Sequence, residues 1–200
     1  MIQQKKIYLV RHGEIDLEGK KRFIGQIDLP INENGRKQAA CLRDKLACRQ
    51  FGGIFCSDLE RSVATARIIC ERQGAVPVPR EDLREISLGS WEGLSFEDVR
   101  LLYAGEFEKR GADLIHYRPP GGESFAQCAE RVRLALMDIL AGSVGDTLIV
   151  GHAGVNRMIL CGALGMPLEN MFQIKQDYGC LNILSSGVTG LKAVTLNADE

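Results

Sequence analysis

Long apolar runs are what this chain most plainly lacks. Near its N-terminus only Ile7-Tyr8-Leu9-Val10 is continuously apolar, far too short for a signal peptide or a membrane span. The expectation is a cytoplasmic protein with no membrane contact. Excess charge is missing as well, since a formal net charge of −1 gives no global pull toward nucleic acid or an anionic membrane. Any bound anion must then be held by a local cluster. Metal-binding spacings are absent too: Cys41, Cys48, Cys56, Cys70, Cys128, Cys161 and Cys180 are scattered, with no CxxC and no Cys/His cluster of zinc type. Their odd number and mostly apolar surroundings fit free thiols in a reduced compartment, where cysteine acts as a small hydrophobe. No repeat, low-complexity tract or linker interrupts the 200 residues, which suit a single domain over 1–200.

What the chain does have is one device used three times. The run Ile7–Val10 reads as a buried parallel strand and stops at Arg11-His12-Gly13. Ile54-Phe55-Cys56 stops at Ser57-Asp58-Leu59-Glu60-Arg61, and Thr147–Val150 stops at Gly151-His152-Ala153-Gly154. Helices are expected from an Asn32 cap through Gln50, from about Asp58 to Gln73, from a Ser95 cap through Tyr103, over Phe125–Leu140 behind a Ser124/Gln127 capping box, and over Val155–Leu164. Residues 180–184 and 191–196 read as closing strands. The proline-rich 76–79 segment reads as extended, and no element is assigned to 104–122. Alternating short strands and helices predict an α/β fold, a three-layer α/β/α sandwich on a mainly parallel sheet.

Open α/β sheets bind ligands at the carboxyl ends of their strands, and neighbouring strands lie about 4.8 Å apart. Arg11, His12, Arg61 and His152 can therefore converge on one electropositive pocket, although an Arg-His pair after a strand can equally be an exposed turn. Arginine in the first turn of a helix is unexpected, because that end favours anions; a bound anion explains it better than solvation does. Guanidinium groups grip phosphate bidentately, and an imidazole is a competent nucleophile toward phosphorus. Metal binding is the rival for two histidines, and the flanking arginines weigh against it. Phosphoryl transfer also needs a proton for the leaving oxygen. Glu85, on the glycine-rich stretch before Trp91, is the candidate donor; the alternative is a solvated loop carboxylate. His116 reads as an exposed loop residue. The long segment from Ile15 to Asn34 reads either as a surface excursion or as a wall of the site, with Arg22 and the Gly25 backbone facing substrate.

Leu9-Val10-Arg11-His12-Gly13-Glu14 resembles the signature of the histidine phosphatase superfamily, the phosphoglycerate mutase-like proteins. Phe55–Ser62 with Thr65-Ala66, Leu83–Gly93 and Val150–Gly154 match further motifs, in the family's order. The resemblance implies a phosphoglycerate mutase-like fold and phosphorylation of His12. It implies that Arg11, Arg61 and His152 hold the phosphoryl group, that Glu85 donates the proton, and that Gly13, Ile24, Gly25 and Ala153 line the substrate pocket. No metal and no organic cofactor are implied. The partner would be a small phosphorylated metabolite, with monomer and homodimer both open. Ile15 and Glu18 stand where the family often has Thr or Ser and Asn, which questions the phosphate contacts of that loop. Only about thirty residues separate Gly93 from Gly122, so water is favoured over a mutase's second hydroxyl as acceptor. The loops Arg22–Pro30 and Pro120–Phe125 are most similar to those of the α-ribazole phosphatases of cobalamin assembly. A phosphoglycerate-type mutase and a silent phospholigand binder are the alternatives; the intact His12 argues against the latter.

Overall fold

A computed structural model describes residues 5–17, 19, 21–187 and 190–198. Strands β1 (Lys5–Arg11), β2 (Gly53–Ser57), β3 (Val78–Arg80), β4 (Thr147–Gly151), β5 (Leu181–Gly187) and β6 (Gly190–Ala198) form one sheet. Their order is β3-β2-β4-β1-β5-β6; the first four run parallel, and β5 and β6 pair antiparallel. The expected mainly parallel sheet is thus present, closed on one side by an antiparallel ribbon. The three polar-ended strands β2, β4 and β1 are neighbours at its centre.

Ile7, Tyr8, Leu9 and Val10 are each at most 1% exposed, because helices cover both faces of the sheet. The strand's period of two divides them. Ile7 and Leu9 enter one core with residues of α5 (Phe125–Gly142) and α6 (Ala153–Leu164). Tyr8 and Val10 enter the other, with Leu42 and Leu46 of α1 (Glu33–Leu46) and Ala66 and Ile69 of α2 (Glu60–Cys70). Full burial of an aliphatic side chain contributes about 1.5–3 kcal/mol. The strands that deliver the polar residues are therefore also firmly anchored. No helix among the described residues is long and apolar enough to cross a membrane.

The expected caps are present. Asn32 Oδ1 accepts from the Gly35 N–H, and Ser124 with Gln127 forms a reciprocal capping box. So does Ser95 with Asp98, at the start of α3 (Phe96–Leu102). Several boundaries differ from expectation. Helix α1 stops at Leu46, not Gln50, because the Arg49 N–H turns back onto the Leu46 carbonyl and Gly52 lies flush against the Val144 backbone on its way into β2. Helix α2 begins at Glu60, not Asp58: the Asp58 carboxylate is committed to Arg84, and the Glu60 N–H is satisfied by Asp28. It ends at Cys70, where the Gln73 N–H folds back onto the Cys70 carbonyl. Helix α5 runs on to Gly142, and α6 starts earlier, at Ala153. The segment 104–122 contains α4 (Glu106–Ala112), which has no buried residue and so no apolar stripe to announce it. Val78–Arg80 forms the edge strand β3, where the missing N–H of Pro79 is tolerated.

Candidate active site

The segments that leave the carboxyl ends of β1, β2 and β4 meet at one cleft of about 280 Å³, whose lining includes Arg11, His12, Arg61, Glu85 and Ala153. His12 comes directly after β1, and its backbone is pinned on both sides: its N–H donates to the Gly151 carbonyl, and its own carbonyl accepts from the Gly179 N–H. His152 is the N-cap residue of α6, and Arg61 sits in the first turn of α2. The two imidazole rings lie 5.1 Å apart, edge to face. Two glycines make the approach possible. A Cβ on Gly13 would strike the Gly35 carbonyl group, and one on Gly154 would strike the Glu85 carboxylate.

Hydrogen bonding fixes how each ring is protonated. The Gly13 carbonyl can only accept, so His12 Nδ1, at 2.8 Å, carries the proton and Nε2 keeps its lone pair. Arg61 Nε can only donate, so His152 Nδ1, at 3.2 Å, accepts and its proton lies on Nε2. Arg61 is 2% exposed, and its other donors reach the Gly25 and Ile27 carbonyls. All three of its partners are neutral. His152 Nε2 and Arg11 Nε are buried without a hydrogen-bond partner among the described residues. A buried cation with neutral partners, beside two unsatisfied N–H donors, is an arrangement that an anion completes.

Burial holds both rings well below the ordinary imidazole value of 6.5, reinforced for His12 by Arg61 and Arg11 and for His152 first by Arg61. Both are neutral at pH 7, so His12 Nε2 is free to attack. The same shift predicts a pH effect on stability. Below 6.5 the unfolded chain protonates these histidines while the folded chain does not. Stability is therefore retained above that value and falls on acidification, by up to about 1.4 kcal/mol per pH unit for each ring. Carboxylates with lowered values, such as Asp58 beside Arg84, act only at lower pH. Denaturant midpoints measured between about pH 7.5 and pH 5.5 should fall; a flat profile would contradict the buried neutral pair.

Glu85 is half-buried in the cleft wall. Its Oε2 accepts from the Gly154 N–H at 2.9 Å and its Oε1 from the Ile86 N–H at 3.0 Å. The carboxyl group is thus fixed at the start of α6, in the cleft that His12 also lines. The reading as a freely solvated loop carboxylate does not hold. Glu92 holds the opposite turn in place: its Oε1 accepts from Gln26 and Leu88 N–H groups beside Gly25.

Of the described residues between Ile15 and Asn34, those from Ile15 to Gly25 supply a wall of the cleft, with Ile15, Arg22, Ile24 and Gly25 among its lining residues. The segment is tied down by the Arg61 bonds and by Asp28 on the start of α2. One detail differs from expectation. The Gly25 carbonyl is occupied by Arg61, so this part of its backbone serves the arginine. Ile15 is buried and adds an apolar surface where a hydroxyl was the family's usual choice. Glu18 lies outside the described residues. His116 is exposed and paired with Asp113, as expected of a loop residue. All seven cysteines are free, and burial pushes the Cys56 thiol up to about 12 and Cys180 to about 11.

Sequence reasoning missed several contributors. Tyr178 packs its ring under the Arg11 guanidinium, 3.7 Å from the ring centre, and stands 5.6 Å from the His12 ring. The Gln176 carbonyl accepts from Arg11, and Thr65, named from the sequence only as part of a motif, links Gly13 to Arg61 through its hydroxyl. Arg110 and Arg157 also line the cleft. The available signal for Tyr178 was weak: an aromatic between Asp177 and Gly179, just ahead of β5.

The chain matches the histidine phosphatase superfamily (branch 1) over residues 7–199. It is 30% identical over 177 residues to the adenosylcobalamin/α-ribazole phosphatase of Escherichia coli, covering 88% of this chain and 87% of that one. It is 29% identical over 178 residues to phosphoserine phosphatase 1 of Hydrogenobacter thermophilus, covering 88% and 82%. The crystal structure of the α-ribazole phosphatase from Shigella flexneri superposes with a TM-score of 0.88 at 27% identity, covering 96% of each chain. The sandwich is that of the phosphoglycerate mutase-like fold.

Proposed function

The chain belongs to the histidine phosphatase superfamily, and from that premise we propose that it hydrolyses phosphate monoesters of small metabolites through a phosphohistidine on His12. The observation that carries this is the protonation of His12. Its Nδ1–H is held by the Gly13 carbonyl, which leaves the Nε2 lone pair available in a cationic cleft.

In the first step His12 Nε2 attacks phosphorus and the bond to the ester oxygen breaks. Arg11, Arg61 and the Nε2–H of His152 hold the phosphoryl oxygens, stabilising charge that spreads over them in the transition state. Glu85 protonates the departing oxygen, so an alcohol leaves instead of an alkoxide. In the second step water attacks the phosphohistidine, Glu85 takes its proton, and inorganic phosphate leaves with His12 restored. The pairing of Arg61 with His152 does two things here. It sets the His152 tautomer that donates, and it keeps the guanidinium beside the phosphoryl group.

Ile24, Gly25 and Ala153 complete the pocket wall in this reading. Gly13, expected to line it too, is not among the lining residues: its N–H is given to Thr65 and its carbonyl to His12 Nδ1, so it serves the nucleophile and not the substrate. Relatives with α-ribazole phosphatase and phosphoserine phosphatase names support the reaction class. α-Ribazole 5′-phosphate is accordingly the first substrate to try. The direct experiment is a rapid quench of the enzyme with p-nitrophenyl phosphate in EDTA. The expected result is acid-labile, base-stable phosphate on the protein, together with continuing phosphate release. Neither phosphoenzyme nor release from any ester in a broad panel would leave a phospholigand binder instead; transfer to a second hydroxyl without net release would make it a mutase.

A further inference from the structure

Five arginines line the cleft: Arg11, Arg22, Arg61, Arg110 and Arg157, while Glu85 is the one lining carboxylate among the described residues. None of the five is in an ion pair among those residues, although six other arginines of the chain are. With both histidines neutral, the lining carries five positive charges while Glu85 holds its proton and four net when it is ionised. A phosphate monoester dianion offsets two of them. Glu18 and Lys20, outside the described residues, have formal charges that cancel. The remaining imbalance is more than phosphate binding explains.

Two of the arginines are poorly satisfied. The side chain of Arg110, from α4, makes no hydrogen bond among the described residues; its guanidinium stands over the Phe23 ring, 5.7 Å from the centre. Arg157, in the second turn of α6, gives its Nε to the Ile174 carbonyl and stands 5.6 Å from the centre of the Phe172 ring. Both are partly buried, which works against the charged form. An aromatic ring supports each planar group and offers it no acceptor. A guanidinium fork held in this way fits a carboxylate.

Resting on the hydrolase reading above, we infer that the cleft receives a second anionic group of the substrate at Arg110 and Arg157. The preferred substrate is then the phosphate monoester of a hydroxy acid. An ester whose alcohol part is uncharged, such as α-ribazole 5′-phosphate, is a poorer one. The reaction itself is unchanged: the carboxylate only binds, and the phosphoryl group still passes to His12 and on to water.

Matched pairs that differ in one carboxylate test this: 3-phosphoglycerate against glycerol 1-phosphate, and 6-phosphogluconate against glucitol 6-phosphate. The short and long acids allow for either arginine being the main contact. In the wild-type protein at least one acid should exceed its neutral partner in kcat/KM by about tenfold to a hundredfold, the worth of a charge-assisted hydrogen bond. The preference should shrink as salt is raised. The double variant Arg110→Met with Arg157→Met should lose most of it, and Arg110→Lys with Arg157→Lys should keep part. Equal rates within both pairs, faster turnover of α-ribazole 5′-phosphate than of either acid, or a preference that survives the methionine variant would each overturn the inference. Phosphohistidine formation from p-nitrophenyl phosphate keeps the two readings separate. If it persists while the acid preference is absent, the subsite is wrong and the hydrolase stands.

Discussion

Replacing His12 with alanine is expected to abolish turnover, by on the order of 10⁴-fold or more, and to abolish phosphorylation of the protein with it. The substitution is a clean one for the fold. The His12 backbone makes its bonds to Gly151 and Gly179 whatever the side chain, and alanine accepts the same conformation. Arg11, Arg61 and His152 also remain, so inorganic phosphate should still bind. That combination, binding kept and chemistry lost, separates a nucleophile from a group that merely shapes the pocket. The measurements are phosphate release, acid-labile phosphate on the protein, and phosphate affinity by calorimetry. Turnover retained within tenfold would place the nucleophile elsewhere. His152 is then the nearest imidazole, but its Nδ1 lone pair is committed to Arg61 and its Nε2 carries the proton. An activated nucleophile needs a free lone pair, which only His12 offers here.

How far the site was legible depended on where its chemistry is encoded. His12 and His152 could be read because each follows an apolar run at a strand end, and Arg61 because it is a cation in the first turn of the helix after β2; the sheet order β2-β4-β1 makes those ends neighbours. Local sequence carries both halves of that argument. Glu85 could not be read in this way. Its anchor is the Gly154 N–H, 69 positions along the chain, and it was singled out by its glycine-rich surroundings before Trp91 and by the resemblance of the Leu83–Gly93 stretch. The segment 104–122 failed for a related reason. Helix α4 is seven residues long with no buried face, so its placement rests on tertiary contacts such as Phe107 stacking on Trp91. Nothing in the local sequence marks Arg110 or Arg157. Their meaning comes from the fold, which turns them into one cleft and leaves them without carboxylate partners.

Glu85→Gln is expected to divide substrates by their leaving groups. An alkyl monoester needs its oxygen protonated as it departs, so its phosphorylation step should slow by about 10²–10⁴-fold. p-Nitrophenolate is stable enough to leave without a proton, so the same step with that ester should change far less. Steady-state rates alone would blur the difference. Breakdown of the phosphohistidine uses Glu85 as a base, and that step should slow for every substrate. The informative measurement is therefore the first turnover. With p-nitrophenyl phosphate the variant should release a burst of nitrophenol and then stall with phosphate on His12. With glycerol 1-phosphate it should give no burst. Geometry predicts a second, smaller cost. The amide can accept from one of the two N–H groups at Gly154 and Ile86, but its NH₂ then faces the other donor. A displaced side chain would slow both esters alike, whereas a missing proton slows one of them. Equal loss of the two bursts would leave Glu85 a positioning residue, and the proton would have to come from water.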